Sequence, residues 1–161
     1  MKIQPYSNLI RYKQWADRGL CEVATASFDK LESQDATILV RILDHIQVVD
    51  RIFQNHLQGK PHSFQAPRSE TLPDIQTLCD HFRETDNWYV SYVDTLPDSR
   101  LNEPLTFSFT SGAKADMTRA EAILHICMHG TYHRGNAGIV LQKNGITPND
   151  DRITDFIQIA A

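Results

Sequence analysis

Apolar residues recur at steps of three and four along most of this chain, with polar residues between them, the pattern of helices that bury one face. The first such stretch runs from about Ser7 to Leu31 and places Leu9, Tyr12, Ala16, Leu20, Val23, Phe28 and Leu31 on one side. A second follows Ser33 or Asp35, either of which can cap it, carries Ile38, Ile42, His45, Val49 and Ile52, and stops at Gly59 and Pro61. The third opens near Thr71 with Pro73 in its first turn and continues through Ile75, Leu78, Phe82, Tyr89, Val93 and Leu96 to Pro97, with Asp86 on the same stripe. Thr118 and Glu121 open the fourth as a capping box, with Met117 placed to staple Ala122, and the helix reaches Asn144 before Gly145 and Pro148. Between the third and fourth, Leu105 to Thr110 alternates ahead of Ser111-Gly112, which predicts a small hairpin and no larger sheet.

Four helices, each with a single apolar stripe, bury those stripes most simply against one another. The expected fold is all-α, a four-helix bundle with a small β-hairpin between helices 3 and 4, in one domain spanning residues 1–161. The polar connection from Lys60 to Glu70 is long enough to bring helix 3 to either end of helix 2, so periodicity alone leaves the topology open.

Composition narrows the function classes. A chain of 161 residues buries about two-thirds of its unfolded surface, so it folds without needing a disulfide or a metal. The net charge of −4 and pI of 5.9, with no Lys/Arg cluster, argue against a nucleic-acid or anionic-membrane surface. No apolar run approaches the roughly 18 residues of a membrane span. Met1 to Gln14 is polar and already periodic, which predicts neither a signal peptide nor a transit peptide. Cys21, Cys79 and Cys127 are odd in number, far apart and form no CxxC, which predicts reduced thiols and a cytoplasmic location.

The seven histidines carry the candidate chemistry. On a wheel of about 100° per residue, with His129 at zero, Ala122 and Val140 fall at about 20°, His133 at about 40° and Ile126 at about 60°. The predicted stripe centre therefore lies between His129 and His133. His45 points inward on helix 2 by the same reasoning, and all three sit near the midpoints of their helices. Two imidazoles at i and i+4 with a third from a facing helix suit one metal ion, and three protein ligands leave positions open for water or substrate. The competing reading is a set of packed, hydrogen-bonded core histidines. Three of them at one height compete for scarce acceptors unless a cation organises them.

His125 falls at the flank of the site, as outer support, pocket wall or fourth ligand. His56 lies about 16 Å from His45 along the axis and reads as a helix-end residue, while His62 and His81 read as surface. Asp86 reads either as an Arg partner within the core or as a catalytic carboxylate. Tyr132 borders the pocket and Arg134 faces another element. Gly130, Gly135 and Gly138 imply close helix approach, room for a ligand or a loose helix. Gly130 after His129 excludes an HExxH protease.

The segment His129-Gly-Thr-Tyr-His133-Arg134-Gly135-Asn136, with His45 on the second helix, resembles the DinB family of metal-dependent four-helix proteins, also called YfiT-like. Tyr12 to Asp17, the Asp50-Arg51-Ile52-Phe53 run, the hairpin and Asp155-Phe156-Ile157 extend the resemblance over essentially the whole chain. The resemblance implies an up-down-down-up bundle, a homodimer, and a divalent metal, nickel or zinc, on His45, His129 and His133. It also implies a metal-dependent enzyme that activates a low-molecular-weight thiol for S-transfer, since some members are transferases using bacillithiol or isomerases using mycothiol. The alternatives are a hydrolase using metal-bound water and a non-catalytic metal-binding stress-response module. The expected partners are a small-molecule thiol or electrophile and a second copy of the chain, with no nucleic acid and no membrane.

Overall fold

A computed structural model describes residues 5–160 of the chain, so the first four residues of the polar N-terminal segment lie outside the described part. Its order is α1 (Pro5–Ser27), α2 (Ser33–Gln58), α3 (Ile75–Thr95), β1 (Pro104–Ser108), β2 (Lys114–Thr118), α4 (Arg119–Lys143) and α5 (Ile153–Ala160), with single 3-10 turns at Phe28–Lys30 and Asp98–Arg100. The all-α bundle and its small hairpin are as the sequence predicts. Three boundaries and one element differ. α2 already includes Ser33, with Glu32 at its N-cap and no side-chain cap, so neither Ser33 nor Asp35 caps it. α1 ends at Ser27, and the 3-10 turn carries the chain on to Leu31. α3 starts later than Thr71 because Asp74 caps it, accepting from the Thr77 N–H at 2.9 Å and the Thr77 hydroxyl at 2.6 Å. α5 is an additional helix, too short for periodicity to separate it from a tail.

Local chemistry sets the remaining ends. Gly59 stops α2 in the left-handed region at φ 66° and donates its N–H to the His56 carbonyl at 3.1 Å. The capping box of α4 is formed: the Thr118 N–H donates to Glu121 Oε2 at 2.7 Å, and the Glu121 N–H donates to Thr118 Oγ1 at 3.2 Å. Met117 packs on the cluster that contains Ala122. The antiparallel hairpin pairs Pro104 with Thr118 and Ser108 with Lys114, and Phe107 from it stacks on His56 at 3.8 Å.

Helix directions follow from cross-contacts. Arg11 reaches Asp94 and Thr25 reaches Cys79, so α1 and α3 are antiparallel. Arg119 binds the Leu57 carbonyl and Lys143 binds Asp35, so α2 and α4 are antiparallel. Asp17 meets Arg134, and the Glu32 N–H reaches the Asn144 side chain, so α1 and α4 run parallel. The result is up-down-down-up, with the long connection between α2 and α3 returning the chain to the same end. Two apolar clusters fill the interior. Ile10, Ile52, Phe53, Tyr89, Ile123 and Ile126 belong to the one near the hairpin; Leu20, Leu39, Leu43, Leu78, Phe82 and Leu141 belong to the one at the opposite end. Among the described residues no helix is long and apolar enough to cross a membrane.

Candidate metal centre

The three histidines chosen from the sequence come together. Ligand nitrogens of His45, His129 and His133 all lie within 4.8 Å of one another, and the three rings pack edge to face with centroids 4.5–4.8 Å apart. Helical spacing does this on α4, where an i,i+4 pair shares one side, and the antiparallel α2 brings His45 to the same level. All three are half-buried, not central. The wheel places the stripe centre of α4 beside them, but beyond its first turn the buried positions are Ala122, Ile123, Ile126, Cys127, Gly130, Arg134, Ala137 and Leu141. That arc is centred at about 100° from His129. Ile38 on α2 is likewise exposed, whereas Leu39, Leu43 and Ile46 are buried. The pair therefore occupies the rim of the core, with one side packed and the other facing solvent, which gives a small molecule a route of approach.

The surroundings prepare the nitrogens as ligands. His45 Nδ1–H donates to the Pro67 carbonyl at 2.6 Å, which leaves the Nε2 lone pair directed at His129 Nε2, 3.0 Å away. His129 Nδ1 is buried without a partner. When its Nε2 is also unprotonated, two lone pairs face one another across that gap, an arrangement a cation relieves. Burial first, then the neighbouring His133 and His45, hold the His129 imidazole down to about 3, and burial lowers His133 as well. Neutral imidazole is the form that binds metal, so the donor set fits a borderline divalent ion. The Pro67 carbonyl is itself pinned: buried Asp44 accepts from the Ser69 N–H at 2.8 Å and from the Ser69 hydroxyl at 2.6 Å.

The other histidines divide differently from expectation. His125 stacks on Phe53 with centroids 4.7 Å apart and lies 5.5 Å from the His129 ring, the flanking position predicted for it. His62 is not simply surface, because its ring meets His56 at 5.2 Å and its Nδ1 is buried without a partner. Tyr132 is 70% exposed with its ring 5.0 Å from that of His133, and Arg134 does turn to another element.

Behind the imidazoles lies a group the sequence reading missed. Lys13 Nζ sits 2.6 Å from Asp17, 2.7 Å from Asp50 and 2.7 Å from Asp86. Arg134 reaches Asp17 at 2.9 Å and Asp151 at 2.7 Å, and the Tyr12 hydroxyl donates to Asp151. Asp86 thus has a cationic partner, but it is Lys13, not an arginine. The oxygens of Asp17, Asp50 and Asp86 converge as a metal site's do, yet their common neighbour is the Lys13 ammonium. Burial raises Asp86 to about 8 and Asp50 to about 6 despite Lys13. Asp17, served by both cations, is lowered. A readable signal existed: Lys13 and Asp17 fall in the series Ile10, Lys13, Asp17, Leu20, Ala24, whose steps of three and four match a buried face.

Two comparisons with known proteins bear on the chain. The family model described as the DinB family matches residues 1–160. Protein DinB of Bacillus subtilis (strain 168) is 27% identical over 110 residues, which cover 65% of this chain and 63% of that protein. No solved structure matches.

Proposed function

The chain belongs to the DinB family, and from that premise we propose that His45, His129 and His133 hold a divalent transition metal, nickel or zinc, at which a small thiol is activated for transfer to an electrophile. The observation that carries the proposal is the convergence of three imidazoles within 4.8 Å. His45 is oriented by its bond to Pro67, and the open side is bordered by Tyr132. When bound, such an ion supplies Lewis acidity that lowers the pKa of a thiol into the neutral range.

The chain's own residues supply the rest. His129 and His133, both lowered by burial, present neutral nitrogens beside the Nε2 of His45, the Asp44–Ser69 contact holds the α2–α3 connection against His45, and the packed side of the site keeps water from the inner faces of the rings. Exposed Met128, Tyr132 and Ile139 on α4 support a homodimer, which equilibrium sedimentation tests. The three unpaired cysteines support a reducing cytoplasm, which localisation of a tagged chain tests.

The test uses protein purified without a histidine tag. Elemental analysis is expected to find about one equivalent of nickel or zinc, and His129→Ala is expected to lose it while helicity by circular dichroism is retained. Turnover of a low-molecular-weight thiol with an electrophile should vanish in the same variant. Less than about a tenth of an equivalent after metal titration sinks the metal reading. Ester hydrolysis without any thiol would replace S-transfer by hydrolysis. A loaded site with neither activity would make the chain a binding module.

A further inference from the structure

The three cysteines are far apart in sequence, but two of them meet across the α1–α3 interface, on a different face from the histidines. Cys79 Sγ lies 3.6 Å from Thr25 Oγ1 and donates to the Cys21 carbonyl at 3.9 Å, so the Cys79 side chain packs directly against Cys21. Both line a groove of about 620 Å³ whose wall also includes Gln14, Arg18, Arg83 and Asn87. Both are buried, 8% and 7% exposed, and both form part of the groove's lining. We propose that Cys21 and Cys79 are a redox-active dithiol that a low-molecular-weight anionic disulfide, bound in the α1–α3 groove, oxidises to an intrachain disulfide.

The two sulfurs are unequal. Cys79 is held down to about 7 by the Cys21 and Thr25 donors, against its own burial, while the neighbouring Cys79 and burial push Cys21 strongly up. Asp80 opposes and Arg83 assists ionisation of Cys79 from α3, and Asp17 and Asp86 act against Cys21. Cys79 is therefore the attacking thiolate. It displaces one thiolate from the external disulfide, forming a mixed disulfide, and the departing thiolate takes up a proton. Cys21 then gives up its proton and attacks the Cys79 sulfur, releasing the second thiolate, which is protonated in turn. The protein dithiol loses two electrons and two protons, and one external disulfide becomes two thiols. Arg18 and Arg83 line the groove beside Glu22, with Arg83 also paired to exposed Asp80 at 3.0 Å, and their guanidiniums are the donors for the carboxylates of such an oxidant. Cys127 is an internal control, since it lies in the hairpin-end cluster and burial pushes its thiol up to about 12.

The experiment treats the whole chain with oxidised glutathione, then denatures and alkylates it before mass spectrometry. The expected result is alkylation of Cys127 alone and a cross-linked peptide pair carrying Cys21 and Cys79. Addition of a metal chelator leaves the result unchanged, which separates it from the metal reading. Cys21→Ser is expected to retain one glutathione on Cys79, because the resolving thiol is gone. Alkylation of all three cysteines, a stable glutathione adduct without cross-link in the parent chain, or a cross-link that includes Cys127 would each overturn the dithiol.

Discussion

At the scale of single residues, the histidine site was legible because its signal is local. Two imidazoles at i,i+4 declare a shared side from spacing alone, and His45 adds a third at matching height. Their exact bearing was not legible, because the wheel was centred on Ala122, Val140 and Ile126, whereas Gly130, Ala137 and the charged Arg134, which carry little or no apolar signal, help mark the inner arc of α4. The support of His45 was also invisible, since the Pro67 carbonyl and the Asp44–Ser69 contact come from a connection with no periodicity. Outer partners of this kind typically change metal affinity about 10–100-fold. Asp44→Ala is therefore expected to release Ser69, loosen the Pro67 acceptor and weaken metal binding about tenfold. Competition titration with a chromophoric chelator reads this directly. Equal affinity in parent and variant would show that the connection does not hold His45.

At the scale of elements, helix 4 explains its glycines separately. A Cβ on Gly130 would lie 3.0 Å from Arg134 Nη1 and 3.8 Å from Lys13 Cε, whereas one on Gly135 would meet nothing within 4 Å. Gly130 is thus the close approach that admits two buried cations, and Gly135 faces open space. Gly130→Ala gains about 1 kcal/mol of helix propensity but overpacks against an Arg134 held by Asp17 and Asp151, which costs about 1–3 kcal/mol. The net expectation is a destabilised protein, while Gly135→Ala is expected to be stabilised by up to about 1 kcal/mol. Urea denaturation of the two variants decides it, and a stabilised Gly130→Ala would contradict the close approach. Element identity was legible because three- and four-residue steps persist over more than twenty residues in each long helix. α5 and the start of α3 were not, because a short helix and an Asp cap leave weak traces in the pattern.

At the scale of the molecule, each helix of the bundle places charge on its buried face: Lys13 and Asp17 on α1, Asp50 on α2, Asp86 on α3 and Arg134 on α4. Together they form a polar layer that divides the two apolar clusters at the level of the histidines. The layer has two cations and, with Asp151, four carboxylates, so full ionisation leaves excess negative charge, consistent with Asp86 raised to about 8 and Asp50 to about 6 by burial. Lys13 is the shared partner of three of those carboxylates, and removing one partner from a buried ion cluster costs about 3–5 kcal/mol. Lys13→Met is expected to lose that much stability at pH 8. The pH dependence has a definite sign. Asp50 and Asp86 have folded values above the unfolded carboxylate value of about 4, so ionising them works against folding: stability falls as pH rises from about 4 and levels off once pH passes about 6 for Asp50 and about 8 for Asp86. Loss of Lys13 pushes both higher still, and protonation at lower pH relieves the unpaired charge. The stability gap between parent and variant should therefore narrow by at least about 1 kcal/mol from pH 8 to pH 5. Urea unfolding with a chelator present, so that metal release does not intrude, measures that gap. A gap that stays constant or widens towards acid would mean that the carboxylates of the layer are not held together by Lys13.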